Sequence, residues 1–244
     1  MEEMKNIKLF LTSQISCVAH HIPRFLSKSP KDLNLAFIDT AAEVEKGDLQ
    51  WLKKDRQSLV KVGFKIFDFT ITGKKATEIK EKLDKTDVLY FSGGNQFYLL
   101  KKMQESNILN LIRDYVRQGK IYIGSSAGSV IAGPDLYITR FIDEARKAYI
   151  LDSYEGLNLV NFTVFPHWGD EYFKKLYFSQ RLKNAYNLKS KIILLTDYQY
   201  IIVIDNWFQI IEVNPRIDRV RGIAKGVYGK GEEYIEKERQ TWKK

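Results

Sequence analysis

The chain has little cysteine, little proline and no long apolar run, and each shortage excludes a class of protein. Its 244 residues include one cysteine, Cys17, so no disulfide can form within the chain and a reducing compartment is indicated. Only five prolines are present, and no stretch rich in Pro, Gly and Ser reads as a linker. No uninterrupted apolar segment is long enough to span a bilayer, so we expect no membrane partner. We therefore expect a single α/β domain over 1–244, with a charged C-terminal extension from about residue 225.

Charge and histidine content exclude further classes. The segment Met1–Lys5 is acidic where an export signal would be basic, so we expect a cytoplasmic protein. The formal net charge of +9 comes mostly from dispersed lysines, and without an Arg-rich or aromatic-interleaved block we expect no nucleic-acid partner. Three histidines and one cysteine form no cluster with metal-ligand spacing, so no metal or other cofactor is expected. We expect a monomer or a homodimer.

Short apolar runs alternate with amphipathic stretches, which predicts an α/β fold with a mostly parallel sheet. In the first half, strands are predicted over Ile7–Leu11, Leu35–Ile38, Phe64–Phe69, Val88–Phe91 and Ile121–Ile123. Helices are predicted there over Asp48–Val62 (closed by Gly63), Lys75–Leu83 and Phe97–Val116. In the second half, strands are predicted over Leu136–Thr139, Phe162–Phe165, Ile192–Leu195, Ile201–Ile204 and Phe208–Val213, with a helix over Tyr172–Ala185. Asp205-Asn206 between two apolar runs predicts a hairpin.

The segment Lys120–Ala132 carries the strongest chemical signal. An apolar run leads into Gly124-Ser125-Ser126-Ala127-Gly128, and small apolar residues follow. The pattern Gly-x-Ser-x-Gly between a strand and a helix is typical of a nucleophile elbow, with Ser126 at its apex. The glycines are needed because so tight a turn brings backbone against backbone. The alternative is an ordinary Gly-rich turn whose serine caps a helix, but the flanking strand and helix favour the nucleophile.

A serine nucleophile needs a base, and His167 is the best placed of the three histidines. It follows the predicted strand Phe162–Phe165 and Pro166, whereas His20 and His21 are adjacent, have no acidic neighbour and read as surface residues. The alternative for His167 is a loop histidine stacked on Trp168. A carboxylate should orient the imidazole, and both Asp197, at a strand end, and Asp143 are candidates. Either could instead be a plain turn aspartate.

An oxyanion hole needs two backbone N–H donors. Ala127 follows the nucleophile directly, and the segment Ser92-Gly93-Gly94-Asn95 opens the helix after another strand. A phosphate-binding turn is the alternative, but the segment lacks the Lys-Ser/Thr of a P-loop and the third glycine of a dinucleotide fingerprint. We expect Gly93 or Gly94 to supply the second donor, and Asn95 and Trp168 to contact the substrate.

Four spaced blocks occur in an order that resembles a known family. They are Gly93–Leu100, Tyr122–Gly128, Leu157–Leu159 and Phe165–Trp168. Together they resemble the dipeptidase E (α-aspartyl dipeptidase) and cyanophycinase family of serine peptidases. The resemblance implies a three-layer sandwich similar to class I glutamine amidotransferases (flavodoxin-like), with serine in place of cysteine at the elbow.

The resemblance also implies roles for individual residues. Ser126 matches the nucleophile, His167 the general base and Gly93-Gly94 the oxyanion loop. Asp197 matches the segment of the third member, where the family usually has glutamate, and Asp143 falls near another acidic position given that role.

The implied activity is hydrolysis of short peptides through a Ser-His-Asp triad and an acyl-enzyme, without a cofactor. The resemblance implies that one arginine in the segment after the histidine selects substrates by binding their aspartyl carboxylate. In the corresponding segment here, Lys174–Arg181, an aromatic residue occupies the position of that arginine, and Arg181 matches a different arginine of the family segment. We therefore expect an apolar or mixed dipeptide rather than strict N-terminal aspartate. An esterase or amidase using the same site, and an inactive binding or regulatory homologue, are the alternatives. A glutamine amidotransferase is disfavoured, since that chemistry usually needs cysteine at the elbow.

Overall fold

The computed structural model of the chain describes residues 7–139, 151–186 and 191–213. Apart from Val213, these residues belong to Met1–Glu212, one of two units into which internal contacts divide the chain; the other is Val213–Lys244. Asp143 and the charged extension from about residue 225 lie outside the described residues, so the predictions made for them stay predictions. Within the described ranges, no helix combines the length and apolarity needed to cross a membrane.

Nine strands within the described ranges form the framework of the fold. They are β1 (Lys8–Thr12), β2 (Asn34–Ile38), β3 (Lys65–Phe69), β4 (Val88–Phe91), β5 (Ile121–Ser125), β6 (Thr163–Pro166), β7 (Ile192–Leu195), β8 (Gln199–Ile204) and β9 (Trp207–Glu212). Seven of them make one sheet in the order β3-β2-β4-β5-β1-β8-β9. The first five pair in parallel, whereas β8 and β9 are an antiparallel hairpin at one edge, as predicted. Strands β6 and β7 form a separate parallel pair.

Helices connect the strands and complete an α/β sandwich. They are α1 (Ile15–Val18), α2 (Gln50–Val62), α3 (Ala76–Asp84), α4 (Gln96–Glu105), α5 (Leu109–Arg117), α6 (Ala127–Ile131), α7 (Glu171–Leu176) and α8 (Leu182–Ala185). A π-helical turn, Tyr177–Arg181, joins α7 to α8, so the predicted helix over Tyr172–Ala185 is interrupted but present. Gly63 ends α2 in the left-handed conformation with φ 109°, as its position predicted.

Two predicted elements were wrong. The single helix predicted over Phe97–Val116 is divided into α4 and α5, because Asn107 adopts a left-handed φ of 52° between them. The apolar spacing continues across this break and therefore conceals it. The strand predicted over Leu136–Thr139 is a 3₁₀ turn, Tyr137–Thr139. Its apolar pattern reflects burial of Leu136 and Ile138 rather than strand pairing.

Strands β2, β4, β5 and β1, in the middle of the sheet, are buried on both faces, which explains why they read as continuous apolar runs. Leu9 and Leu11 of β1 belong to a cluster that includes buried residues of α3, α4 and α5. Phe10, between them, faces the opposite side and contacts Phe25 and Tyr200.

Two glycines let β4, β5 and α6 meet backbone to backbone. A Cβ on Gly128 would lie 2.1 Å from the carbonyl oxygen of Phe91, and one on Gly124 would lie 2.6 Å from the backbone of Gly128. Such distances are far below van der Waals contact, so neither position accepts a side chain. The turn between β5 and α6, which carries Ser126, is therefore clamped against β4.

Replacing Gly128 by alanine should destabilise the fold by more than about 2 kcal/mol, because the new methyl group collides with main chain. Gly47→Ala is the matched control: a Cβ there meets nothing within 4 Å, although φ is +95°. That backbone strain alone should cost about 1 kcal/mol. Urea denaturation measures both values, and equal losses in the two variants would contradict the clamp.

Candidate active site

The residues predicted from the sequence to form the site come together at the carboxyl ends of strands from both sheets. Ser126 follows β5, Gly93 and Gly94 follow β4, His167 follows β6, and Asp197 follows β7 by two residues. Carboxyl ends of neighbouring parallel strands lie at a common edge, where open α/β sheets bind their ligands. Topology thus gathers side chains that lie far apart along the chain.

Ser126 occupies a strained backbone conformation with φ 47° and ψ −104°. Its N–H donates to the carbonyl of Thr12 at 2.9 Å, and its own carbonyl accepts from the N–H groups of Ser129 and Val130. For a residue that carries a β-carbon, a positive φ costs roughly 1–3 kcal/mol. Such a conformation persists only where the surroundings enforce it. Here the bonds to β1 and α6 and the glycine clamp enforce it, and the side chain projects from the apex of the turn.

Ser126, His167 and Asp197 form a continuous hydrogen-bonded chain. The Oγ of Ser126 lies 3.0 Å from His167 Nε2, and His167 Nδ1 lies 2.8 Å from Asp197 Oδ1. Because the carboxylate accepts at Nδ1, the imidazole proton lies there and Nε2 is left as the acceptor. The N–H of Trp168 donates to the carbonyl of Leu195 at 3.0 Å, which ties the ends of β6 and β7 together and brings His167 beside Asp197. The ring of His167 also stacks on Phe173 at 4.7 Å.

Ser13 joins this chain and was not anticipated from the sequence. Its Oγ donates to Asp197 Oδ1 at 2.6 Å and accepts from the His167 N–H at 2.7 Å. Burial alone would raise the pKa of Asp197, but the hydrogen bonds from His167 and Ser13 outweigh it and hold that pKa below its usual value. Asp197 is therefore an anion at neutral pH. The available signal was the position of Ser13 directly after the end of β1.

Three backbone N–H groups beside Ser126 have no acceptor among the described residues. Gly93, Gly94 and Ala127 all line the cavity around Ser126, and no hydrogen bond to a described residue uses their N–H groups. Gly94 has φ +120°, and a Cβ on it would lie 2.2 Å from the carbonyl oxygen of Ala41. Only glycine fits there, because the loop after β4 packs against the turn that contains Ala41. A Cβ on Gly93 would lie 3.4 Å from the Cβ of Ser126, so the same loop also lies close to the elbow.

The cavity over Ser126 measures about 900 Å³ and is large enough for a short peptide. Asn95 lines it, and the Asn95 side chain caps α4 by accepting from the N–H groups of Phe97 and Tyr98. Trp168, expected to contact the substrate, does not line the cavity. Its ring packs against Tyr177 and Phe178, so Trp168 supports the wall of the site instead.

Arg181 reaches the cavity from the π-helical turn. Its guanidinium carbon lies 4.9 Å from the centre of the Tyr177 ring and 5.9 Å from that of Phe173. Its Nε and Nη1 are buried and have no hydrogen-bond partner in the described part of the chain. Burial lowers the pKa of Arg181, and the Tyr177 hydroxyl offsets part of that effect. A buried guanidinium with unused donors can receive a planar anion.

Asp55 of α2 also lines the cavity and was missed by the sequence reasoning. It is 2% exposed and accepts hydrogen bonds from Ser16, Tyr90 and Ser125. No motif marks it, because it sits within an amphipathic helix among other charged residues.

The remaining histidines stand apart from this site. His21 was expected at the surface, but it is buried and packs against Tyr200, 6.3 Å between ring centres. His20 is exposed, as expected. Within the described ranges, no three His, Cys, Asp or Glu side chains are grouped to hold a metal ion.

Several known proteins are similar to this chain in sequence or in fold. An uncharacterized peptidase of Listeria monocytogenes is 33% identical over 200 residues, which cover 82% of this chain and 95% of that protein. A peptidase E of Haemophilus influenzae is 27% identical over 171 residues, covering 68% of this chain and 74% of that protein. A crystal structure assigned to a peptidase E protein of Listeria monocytogenes superposes with a TM-score of 0.77 at 30% identity, covering 87% of this chain and all of that one.

The family profile of these peptidases extends over nearly the whole described fold. The profile of peptidase family S51 matches residues 9–211, from β1 to β9. The α/β sandwich is accordingly that of the class I glutamine amidotransferases, with Ser126 at the elbow. The chain therefore belongs to peptidase family S51, a family of serine hydrolases, and is a peptidase.

Proposed function

We propose that this peptidase hydrolyses short peptides through an acyl-enzyme, with Ser126 as nucleophile, His167 as general base and Asp197 as the residue that orients the imidazole. The unbroken chain of hydrogen bonds from Ser126 Oγ through His167 to Asp197 is the observation that carries the proposal. A serine hydroxyl is a poor nucleophile at neutral pH unless a base lies within hydrogen-bond distance. Asp143 lies outside the described residues and is given no role here.

The reaction proceeds in two proton-balanced stages. Ser126 Oγ attacks the scissile carbonyl carbon while its proton moves to His167 Nε2, and the resulting imidazolium is stabilised by Asp197. The C–N bond then breaks as His167 returns the proton to the leaving amine, which leaves an ester on Ser126. In the second stage His167 takes a proton from water, and the oxygen of that water attacks the ester carbonyl carbon. The C–O bond to Ser126 then breaks, His167 returns the proton to Ser126 Oγ, and the peptide fragment leaves as a carboxylic acid.

The oxyanion of each tetrahedral intermediate is stabilised by backbone N–H groups of Ala127 and of Gly93 or Gly94. These donors line the cavity and have no other acceptor among the described residues. Donors already aimed at the developing charge need no reorganisation during the reaction, and one of them is worth about 3 kcal/mol to the transition state.

The substrate we propose is a short peptide whose carboxylate binds Arg181. The unused Nε and Nη1 can each donate to a carboxylate oxygen, and Phe173 beside the guanidinium offers an apolar contact. A buried cation without an anionic partner is costly, so a ligand that supplies the anion gains affinity. The carboxylate belongs either to an acidic side chain or to the free C-terminus of the peptide, and matched substrates separate these two sources.

Ser126→Ala should lower kcat/KM for dipeptide hydrolysis by at least about 10³-fold, since no other hydroxyl occupies the apex of the turn. The loss should appear in kcat, with the variant still folded by circular dichroism. Hydrolysis at the rate of the unmodified enzyme would show that Ser126 is not the nucleophile.

Ser13→Ala should lower kcat about tenfold, because Asp197 and the His167 backbone lose a shared partner. Ser13 holds the pKa of Asp197 down, so its removal should raise that pKa and move the acid limb of the pH-rate profile upward. Ser106→Ala is the matched control, since it removes a buried hydroxyl whose one hydrogen bond within the described part of the chain goes to the carbonyl of Lys74. Indistinguishable profiles for the two variants would argue against a supporting role for Ser13.

Arg181→Met should raise KM about 10- to 100-fold for peptides that carry the recognised carboxylate. Asp-Leu, Leu-Leu and Leu-Leu-amide separate the sources: a side-chain site affects only the first, and a C-terminal site affects the first two. Lys183→Met, an exposed cation on the same helical segment, should leave all three unchanged. Unaltered KM values for all three substrates in Arg181→Met would exclude this subsite.

A further inference from the structure

Asp55 is a buried carboxylate that hydrogen-bonds to the three segments from which the site is built. Its Oδ1 accepts from the N–H of Ser16 at 3.2 Å, and its Oδ2 accepts from the hydroxyls of Tyr90 at 3.1 Å and Ser125 at 3.3 Å. The residue comes from α2, which contributes neither to the Ser-His-Asp chain nor to the oxyanion donors. At 2% exposure it is among the most buried charged side chains described.

Each of these three partners stands next to a working part of the site. Ser125 precedes Ser126, and its Oγ also accepts from the N–H of Ile15 at 3.2 Å. Tyr90 lies in β4, two residues before the loop that begins at Ser92. Ser16 belongs to the segment after β1 whose Ser13 bonds to Asp197 and His167. The Asp55 carboxylate therefore joins three segments: the turn that carries Ser126, the strand that leads into the oxyanion loop, and the segment after β1 that supports His167.

We propose that ionised Asp55 is a positioning residue for the peptidase reaction, acting through Ser125, Tyr90 and Ser16 to hold the strained Ser126 turn in register with His167 and the oxyanion donors. The inference rests on the proposed function, in which Ser126 is the nucleophile. Asp55 itself takes no part in bond making. Its contribution is geometric, and displacement of a reacting group by about 1 Å can cost a hundredfold in rate.

The protonation state of Asp55 matters because all three partners donate to it. Burial raises its pKa to about 6, although the hydrogen bonds from Ser16, Tyr90 and Ser125 oppose that rise. Cys17 of α1 feels the same charge, and burial raises the pKa of the Cys17 thiol to about 11, so it is neutral. Burial likewise raises the pKa of Tyr90 above its usual value, and it too is neutral. When Asp55 is protonated, its own O–H must donate a hydrogen bond. That O–H then competes with one of the hydrogen bonds that the ionised carboxylate accepts.

Ionising Asp55 also costs folding free energy. A carboxyl whose pKa is higher in the folded chain than in the unfolded chain stabilises the fold while it is protonated. That stability is lost as the pH rises from about 4, the unfolded pKa, through about 6, the folded one. A residue kept for stability alone would not be charged at neutral pH in this position. The charge is retained, on this account, for the geometry that it imposes.

The test is Asp55→Asn, an isosteric variant that keeps one acceptor and removes the charge. At about pH 8 kcat for a dipeptide should fall about tenfold while KM changes less than about twofold. The reason is that the variant loses the alignment of Ser126 with His167 but keeps the residues that bind the substrate. The melting temperature should be equal or higher than that of the unmodified protein. The acid limb of its kcat profile should lose the contribution of Asp55 protonation. Asp39→Asn is the control and should leave kcat unchanged, because Asp39 is a half-buried aspartate whose pKa is also raised by burial.

Tyr90→Phe supplies a second variant, because it removes one donor and keeps Asp55. Losing a hydrogen bond that lowers the pKa of Asp55 should shift the acid limb to higher pH. At about pH 8 kcat should fall less than in Asp55→Asn, because Ser125 and Ser16 still donate to the ionised carboxylate. An unshifted acid limb in Tyr90→Phe, or an unchanged kcat in Asp55→Asn, overturns the positioning role.

Assaying Ser126→Ala alongside separates the two claims. Activity that is lost in Ser126→Ala but unchanged in Asp55→Asn overturns the positioning role alone. Activity that survives in Ser126→Ala overturns the proposed function, and the positioning role with it.

Discussion

The close approach of β4, β5 and α6 is the constraint on which the site depends. Gly124 and Gly128 allow main chain to touch main chain, and this contact holds Ser126 at φ 47°. Strain of roughly 1–3 kcal/mol is stored in that residue, and the hydrogen bond from its N–H to Thr12 helps to retain it. Relaxation of the turn would swing Ser126 Oγ away from His167. The chemistry therefore depends on packing that no catalytic side chain provides.

The five parallel strands were predicted nearly at their observed bounds, because each is a short, largely apolar run, and all but β3 are buried along nearly their whole length. The elbow was predicted for a different reason: glycine is required wherever backbones touch, so Gly124 and Gly128 mark the turn in the sequence itself. His167 and Asp197 were selected as polar residues at strand ends, and the shared edge of parallel strands brings them within 2.8 Å. Family membership followed from the order of these blocks and agrees with the profile match.

What the sequence could not reveal depends on contacts between distant segments. Asp55 reads as one charge among many in α2, and only the fold places it under Ser125 and Tyr90. The left-handed Asn107 breaks a helix without interrupting its apolar spacing. Trp168 follows a strand end, as the site residues do, yet its ring packs into the wall with Tyr177. Position at a strand end brings a residue near the site but does not decide which way its side chain faces.

The central claim, that the Ser126 hydroxyl is activated by His167, is tested most directly by covalent labelling. The protein is treated with a serine-reactive phosphonate near neutral pH and the modified peptide is identified by mass spectrometry, with His167→Ala as the comparison. We predict a single adduct on Ser126 that forms at least about 10³-fold more slowly in His167→Ala. An adduct on another serine, or equal labelling rates in the two proteins, would contradict the account.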